Sequence, residues 1–364
     1  MSTRTATTSH RSGRTTSLTV VLLAFLTPIV IVIAAVFYVV TKGASRNGTA
    51  ELNQRAMLHM TGLNPPTVNR LHARFSDRDG DLIADSPVEQ TQFIDPPTIR
   101  FSFVATAEPE IYQKAWQPFV DHLSKVTGRP VEYVLFDDAK TQLRALRDGT
   151  LHVTGLNSGS VPTAVNVCGF VPIVTLPSPD GSGTASMDII TPARSNIVTP
   201  EDIRGRELTL TEPGSNSGYK APLVLLRSDA GLDPGRDYTI RYSGSHDRSI
   251  EGIVSGEYEL AAVTSDLIER ALKQNRLKRS DYRVVFRSER FPTAGLGYLH
   301  NLKPELAITV RKAFHTFDWS GTSLESEIGV EDQPSTFPVA DYKEQWSLIR
   351  RIDDASGTVH EVKD

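Results

Sequence analysis

The longest apolar stretch lies close to the start of the chain. Residues 18–40 (LTVVLLAFLTPIVIVIAAVFYVV) contain no charged side chain. About 20 such residues suffice for a helix to cross a bilayer, whereas the apolar part of a secretory signal runs to only about 7–15. The run therefore predicts a transmembrane helix, kinked at Pro28; Ala44 and Ser45 leave a cleaved signal open as the alternative. Arg4, Arg11 and Arg14 precede the run and Lys42 and Arg46 follow it, a small positive bias that puts residues 1–17 in the cytoplasm as a tail and the bulk of the chain outside it.

Residues 41–97 show no sustained period and are broken by Pro65-Pro66 and Pro96-Pro97, which reads as a linker. From residue 98 the pattern becomes regular. Alternating β-branched and aromatic residues predict a strand over 98–105. Apolar residues at Ile111, Ala115, Phe119, Leu123 and Val126 predict a helix closed by Gly128. A strand over 131–136, a helix over 140–147 and a strand over 151–156 continue the alternation. Such an alternation builds an α/β layer around a largely parallel sheet. Strands over 170–176 and 187–191 then lead into a second series. It comprises strands over 208–211, 238–242, 259–264 and 284–288, and helices over 221–228, 247–254 and 265–277. A helix over 305–317 belongs to the return. The predicted layout is a two-lobed domain over 98–345, with lobe one at 98–188 and 295–345 and lobe two at 189–294. Residues 346–364 read as a polar tail.

Composition narrows the function. A net charge of −4 over 364 residues argues against a dedicated nucleic-acid binder, which carries a basic stripe. The single cysteine, Cys168, excludes an internal disulfide and a cysteine-based zinc site; with Val167 and Phe170 beside it, it reads as a buried structural thiol. No cysteine follows the apolar run, so a bacterial lipid anchor is excluded as well. No metalloprotease, phosphate-loop or dinucleotide fingerprint is present, and no enzyme is expected.

Two segments carry candidate chemistry. Asp77, Asp79, Asp81 and Asp85 stand at relative positions 1, 3, 5 and 9 around Gly80, with the Ile83 carbonyl between them. That spacing lets carboxylates converge on a hard cation such as calcium. It resembles the short calcium loops of dockerin and thrombospondin type-3 repeats. Val88 stands where an EF-hand has its bidentate acid, and a solvated acidic turn is the competing reading. The second segment, residues 212–219 (EPGSNSGY), joins a strand to a helix. The first turn of a helix leaves N–H groups unpaired and carries a partial positive charge. Gly214 and Gly218 let backbone approach a ligand, and the Ser215 and Ser217 hydroxyls can donate to anionic oxygens. A tetrahedral oxyanion can be held there without Lys or Arg; an N-capped helix with no ligand is the alternative. In the first lobe Asn157-Ser158-Gly159-Ser160 forms another polar turn after a strand.

The turn with residues 243–270 (SGSHDRSIEGIVSGEYELAAVTSDLIER) and the upstream stretch 108–133 (EPEIYQKAWQPFVDHLSKVTGRPVEY) closely resemble the phosphate/phosphite/phosphonate-binding periplasmic components of ABC transporters. The resemblance covers about residues 98–330. It implies a type II periplasmic-binding-protein fold, two α/β lobes meeting at a hinge. It also implies roles. Ser215, Asn216, Ser217 and Gly218 would hold the oxyanion, and His246 would donate a hydrogen bond. Asp266 would accept a ligand proton or bind an amine. Asn157 and Ser158 are not among the family's positions; the amides and hydroxyls of their own polar turn are the first lobe's expected contribution. The Ser215, His246 and Asp266 set has triad residue types, but no Gly-x-Ser-x-Gly context surrounds the serine. This chain departs from the aminoalkylphosphonate binders. Asp138 and Leu156 replace first-lobe aromatics, and Ala294 replaces an acid that grips the ligand amine. The expectation is a membrane-tethered receptor delivering phosphate, phosphite, a simple phosphonate or a similar oxyanion to an ABC permease. A sensor or a structural envelope protein of the same fold is the alternative.

Overall fold

The computed structural model describes residues 71–103, 109–178, 181–212, 215–328 and 335–362. The chain divides into two units, residues 1–54 and 55–364, and every described residue belongs to the second. The apolar run over 18–40 lies outside the described residues. Among the described residues no helix is long and apolar enough to cross a membrane.

The elements follow in order: β1 (Ile99–Phe103), α1 (Pro109–Thr127), β2 (Val131–Tyr133), α2 (Ala139–Arg147), β3 (Val153–Asn157), β4 (Phe170–Thr175), β5 (Thr184–Pro192), β6 (Glu207–Leu210), α3 (Ala221–Ala230), β7 (Thr239–Tyr242), α4 (His246–Ser255), β8 (Ala261–Thr264), α5 (Ser265–Lys273), β9 (Tyr282–Pro292), β10 (Ala294–Leu299), α6 (Pro304–Thr316), α7 (Ser323–Ile328), α8 (Tyr342–Gln345) and α9 (Ser347–Ser356). Two five-stranded sheets result, ordered β2-β1-β3-β10-β4 and β7-β6-β8-β5-β9. In each, four strands run in one direction and one, β10 in the first sheet and β5 in the second, runs antiparallel between two of them. The chain passes between the sheets twice, from β4 to β5 and from β9 to β10.

The crossover comes earlier than the sequence suggested. All of β5, from Thr184, belongs to the second sheet, so residues 184–188 leave the first lobe. The return strand β10 has no counterpart among the sequence-based expectations. Its glycines broke the alternation: a Cβ at Gly297 would lie 1.9 Å from the Val171 carbonyl oxygen, so the close pairing of β10 with β4 requires a residue without one.

The first sheet packs an aromatic core against α1 and α6. Trp116, Phe119, Phe101 and Phe314 are fully buried there, with Phe119 and Phe314 rings 4.7 Å apart. A second core runs from α2 and Leu151 through Phe170 to β6 and α3, and the chain's C-terminal segment lies within it. That corrects the expectation of a polar tail over 346–364. Trp346, Ile349 and Ile352 are buried, because the apolar residues of α9 fall on one face at helical spacing.

The linker expectation over 41–97 also changes for the described part. Phe75 packs edge-on against His300 at 4.8 Å. Ile94 exchanges backbone hydrogen bonds with Asn301 and Lys303. Asp95 pairs with Arg129 at 2.6 Å and Lys303 at 2.7 Å. Residues 71–97 are thus docked on the first lobe. Cys168 is buried, and burial pushes its thiol up to about 12, as befits a structural thiol.

Candidate functional site

In open α/β sheets, ligands bind beyond the carboxyl ends of the parallel strands. In the second sheet three such ends lie side by side in the order β7-β6-β8. After β6 comes the serine turn, after β7 the segment leading to His246, and after β8 Ser265 and Asp266. His246 and Asp266 therefore flank the turn, one on each side.

The turn itself begins at Ser215, whose extended backbone caps a π-helical stretch, Asn216–Lys220, that runs into α3. Ser215 Oγ accepts from the Gly218 N–H at 3.0 Å, and its carbonyl accepts from the Lys220 N–H at 3.1 Å. Gly218 is required by packing: a Cβ there would lie 1.9 Å from Thr211 Oγ1. Ser217 Oγ lies 3.3 Å from His246 Nε2. Gly214 is outside the described residues.

His246 opens α4, capped by Ser245, whose Oγ accepts from the Arg248 N–H. Burial pulls its pKa down to about 4, against the opposing pull of the Asp266 and Asp247 carboxylates. At neutral pH the ring is uncharged, with one donor and one acceptor nitrogen. Asp266 accepts a hydrogen bond from Thr264 Oγ1 at 2.5 Å. Several polar atoms at the turn have no partner among the described residues: Thr211 Oγ1, His246 Nδ1 and both amide atoms of Asn216, a residue only 3% exposed.

Lys220, the last residue of the π-helical stretch, is buried and salt-bridged to the fully buried Asp353 of α9. The same C-terminal segment reaches the first lobe. Trp346 Nε1 donates to the Ser158 carbonyl at 3.2 Å, and His360 Nδ1 lies 2.8 Å from Thr163 Oγ1. One segment thus braces the polar turn of each lobe.

The first-lobe residues are placed less uniformly than expected. Asn157 ends β3 at the carboxyl edge of the sheet, opposite Ala294 of β10. Its side chain accepts from the Ser160 N–H at 2.9 Å, so its oxygen is spent on the turn. Ser158 is buried, and its carbonyl is taken by Trp346. Leu156 is buried in the core. Asp138 caps α2, accepting from the Thr141 N–H at 2.7 Å, and that bond holds its carboxyl below the usual range.

A cleft of about 360 Å³ opens beside Asp266, lined by Ser186, Ser265, Glu269, Arg287, Ser288 and Arg290 among others. Arg287 makes a bidentate pair with the buried Asp188 across β5 and β9, at 2.9 and 2.7 Å. Sequence reasoning missed these residues and the Lys220–Asp353 pair. Both pairs join distant segments, 99 and 133 residues apart; only the strand register could have revealed the first.

The acidic loop brings together three of the four expected residues. Carboxylate oxygens of Asp77, Asp79 and Asp81 lie within 4.8 Å of one another. Asp85 does not join them; it accepts from the backbone and side chain of Arg78, both at 2.9 Å. Asp77 and Asp81 also cap backbone N–H groups of Gly80 and Ile83 at 2.8 Å. Burial and the charges of Asp79 and Asp77 raise the Asp81 pKa against the bond from Ile83.

The family described as ABC transporter, phosphonate, periplasmic substrate-binding protein matches residues 101–342. The chain belongs to that family. The phosphate-import protein PhnD of Mycolicibacterium smegmatis is 21% identical over 241 residues, covering 64% of this chain and 75% of the relative. PhnD1 of Prochlorococcus marinus, solved with methylphosphonate, superposes with a TM-score of 0.60 at 16% identity, over 73% of this chain and all of that one. A phosphonate-transporter binding protein of Pseudomonas aeruginosa gives 0.57 at 19% identity, over 72% and 90%. The fold is that of these two-lobed phosphonate-family binding proteins, and the chain is a transporter substrate-binding component, not an enzyme. Helix α9, with Asp353, lies beyond the matched span.

Proposed function

We propose that this phosphonate-family protein is the membrane-tethered receptor for a compact phosphorus oxyanion (phosphate, phosphite or a simple phosphonate), which it delivers to an ABC permease. The observation that carries the reading is the serine turn. Ser215, Asn216, Ser217 and Gly218 lie between His246 and Asp266 at the carboxyl ends of three adjacent strands, with polar atoms left unpaired. Helix-start N–H groups and hydroxyls attract anions without a cationic side chain. The phosphate import named for the Mycolicibacterium smegmatis relative and the methylphosphonate held by the Prochlorococcus marinus neighbour support the ligand class. Ala294 faces Asn157 where an amine-binding acid would stand, which disfavours aminoalkyl compounds.

A thermal-shift series on the full-length chain with phosphate, phosphite, methylphosphonate and 2-aminoethylphosphonate tests this. Ligand binding to the native state alone raises the melting temperature. At least one of the first three is expected to do so more than the aminoalkyl compound; no response to any of the four, with the fold intact, refutes the assignment. The tether rests on residues 18–40 and is tested by high-salt washing of membranes; release of a soluble form beginning near Ser45 would show a cleaved signal instead.

The calcium reading narrows to Asp77, Asp79 and Asp81. It predicts that calcium raises the melting temperature and that Asp79→Ala removes the increment. Equal melting with and without calcium would leave a loop held by its own side-chain caps.

A further inference from the structure

The turn's middle residue is unusual for an anion site. Asn216 is 97% buried by its 3% exposure, and neither its amide nitrogen nor its amide oxygen meets a partner among the described residues. A buried polar group left unpaired is costly, so native structures almost always pair it. An amide offers two donors at nitrogen and an acceptor at oxygen. A fully ionised oxyanion can satisfy only the donor end.

The surrounding charges point the same way. Lys220, on the turn, is paired with Asp353 from α9, and Arg287 on β9 is paired with Asp188 on β5. Asp247 on α4 is paired with Arg276 at 2.8 Å. His246 on α4 and Asp266 on α5 flank the turn, and His360 stands 4.0 Å from Asp353. Lys220, Arg287 and Arg276 are each matched by a carboxylate; in the cleft beside Asp266, Arg290 donates to Ser182 and Thr184 and Glu269 pairs with Arg279, while Asp266 offers acceptor oxygens. A doubly charged ligand would face that carboxylate; a ligand carrying a proton would offer it or the Asn216 oxygen a donor.

Resting on the oxyanion reading of the site, we propose that Asn216 makes this protein selective for singly ionised phosphorus oxyacids that keep at least one P–OH group. The amide nitrogen donates to a P–O⁻ oxygen, and the amide oxygen accepts from the neighbouring P–OH. Sulfate, the phosphite and methylphosphonate dianions, and ionised phosphinates, none of which has that hydroxyl, are excluded. A site built to hydrogen-bond a ligand hydroxyl rejects the analogue lacking it strongly, because its buried partners are left unpaired.

Two probes separate proton from charge. Dimethylphosphinate carries the same single charge as the methylphosphonate monoanion but has a methyl group in place of the hydroxyl. Calorimetric titration of the full-length chain below methylphosphonate's second ionisation is expected to show it bound at least about tenfold more tightly than dimethylphosphinate. Above that ionisation its affinity should fall about tenfold per pH unit, as one required proton dictates. His246, beside Ser217, does not confound this window, since burial holds it near 4. Asn216→Leu should bind both probes weakly and alike. Equal wild-type affinity for the two probes, or an affinity that holds through the second ionisation, overturns the proposal. So does an Asn216→Leu protein that binds like wild type, which would mean that the amide pairs with a structural water. Failure to bind any phosphorus oxyanion at any pH would instead refute the reading of the site on which the proposal rests.

Discussion

Replacing Asp353 by leucine tests whether the C-terminal helix is part of the folded core. The Asp353 side chain is fully buried and its Lys220 partner is 10% exposed. Removing one member strands the other's charge in an apolar setting, since α9 packs there through Leu348, Ile349 and Ile352. Breaking a buried ion pair from one side costs about 3–5 kcal/mol, whereas replacing both members by apolar residues of similar size is often neutral. The other Asp353 oxygen, Oδ2, has no hydrogen-bond partner among the described residues, and His360 Nε2, 4.0 Å away, adds little to hold it. At about 2–4 °C per kcal/mol for a domain of this general size, Asp353→Leu should lower the melting temperature by roughly 10 °C. The double variant Lys220→Met/Asp353→Leu should recover most of that loss. Urea unfolding of the three proteins gives the free energies directly. A single variant within about 1 kcal/mol of wild type, or a double variant no better than the single, would refute the buried-pair argument.

Other substitutions probe the turn and the buried histidines. Gly218→Ala should abolish ligand binding while the remainder of the fold persists, because its Cβ would overlap Thr211; circular dichroism with titration separates the two effects. Burial holds His246 and His300 near 4, below the ordinary 6.5, so both are neutral in the native state. Between those values the unfolded chain binds more protons, so stability is complete above about pH 6.5 and is lost as pH falls toward 4. His300→Gln should flatten part of that decline in melting temperature against pH; an unchanged slope would contradict it.

Much of the fold was legible in the sequence because its elements obey local rules. The α1 stretch showed helical spacing ended by Gly128, the α2 helix was expected over 140–147, and the parallel strands were short runs between them. What was not legible depended on contacts distant in sequence. β10 was hidden by glycines that exist to let β4 approach. The C-terminal helix looked polar because Arg350, Arg351, Asp353 and Asp354 interrupt its apolar residues, and its apolar face makes sense only against α3. The turn residues were legible in the site because each follows a strand end in the chain. Asp85 was misplaced because spacing alone cannot show that Arg78 competes for its carboxylate. Nor could it show that Asn157 turns its oxygen onto its own loop.

The central claim is that the serine turn holds a phosphorus oxyanion, and calorimetric titration of the full-length protein and its Ser217→Ala variant tests it most directly. Wild type is expected to bind phosphate, phosphite or methylphosphonate with one site per chain. Loss of the Ser217 hydroxyl, beside the neutral His246, should weaken that binding by about 1–3 kcal/mol, the scale of a hydrogen bond to a charged group. Equal affinity of the two proteins for the same ligand would place the oxyanion elsewhere and contradict the assignment.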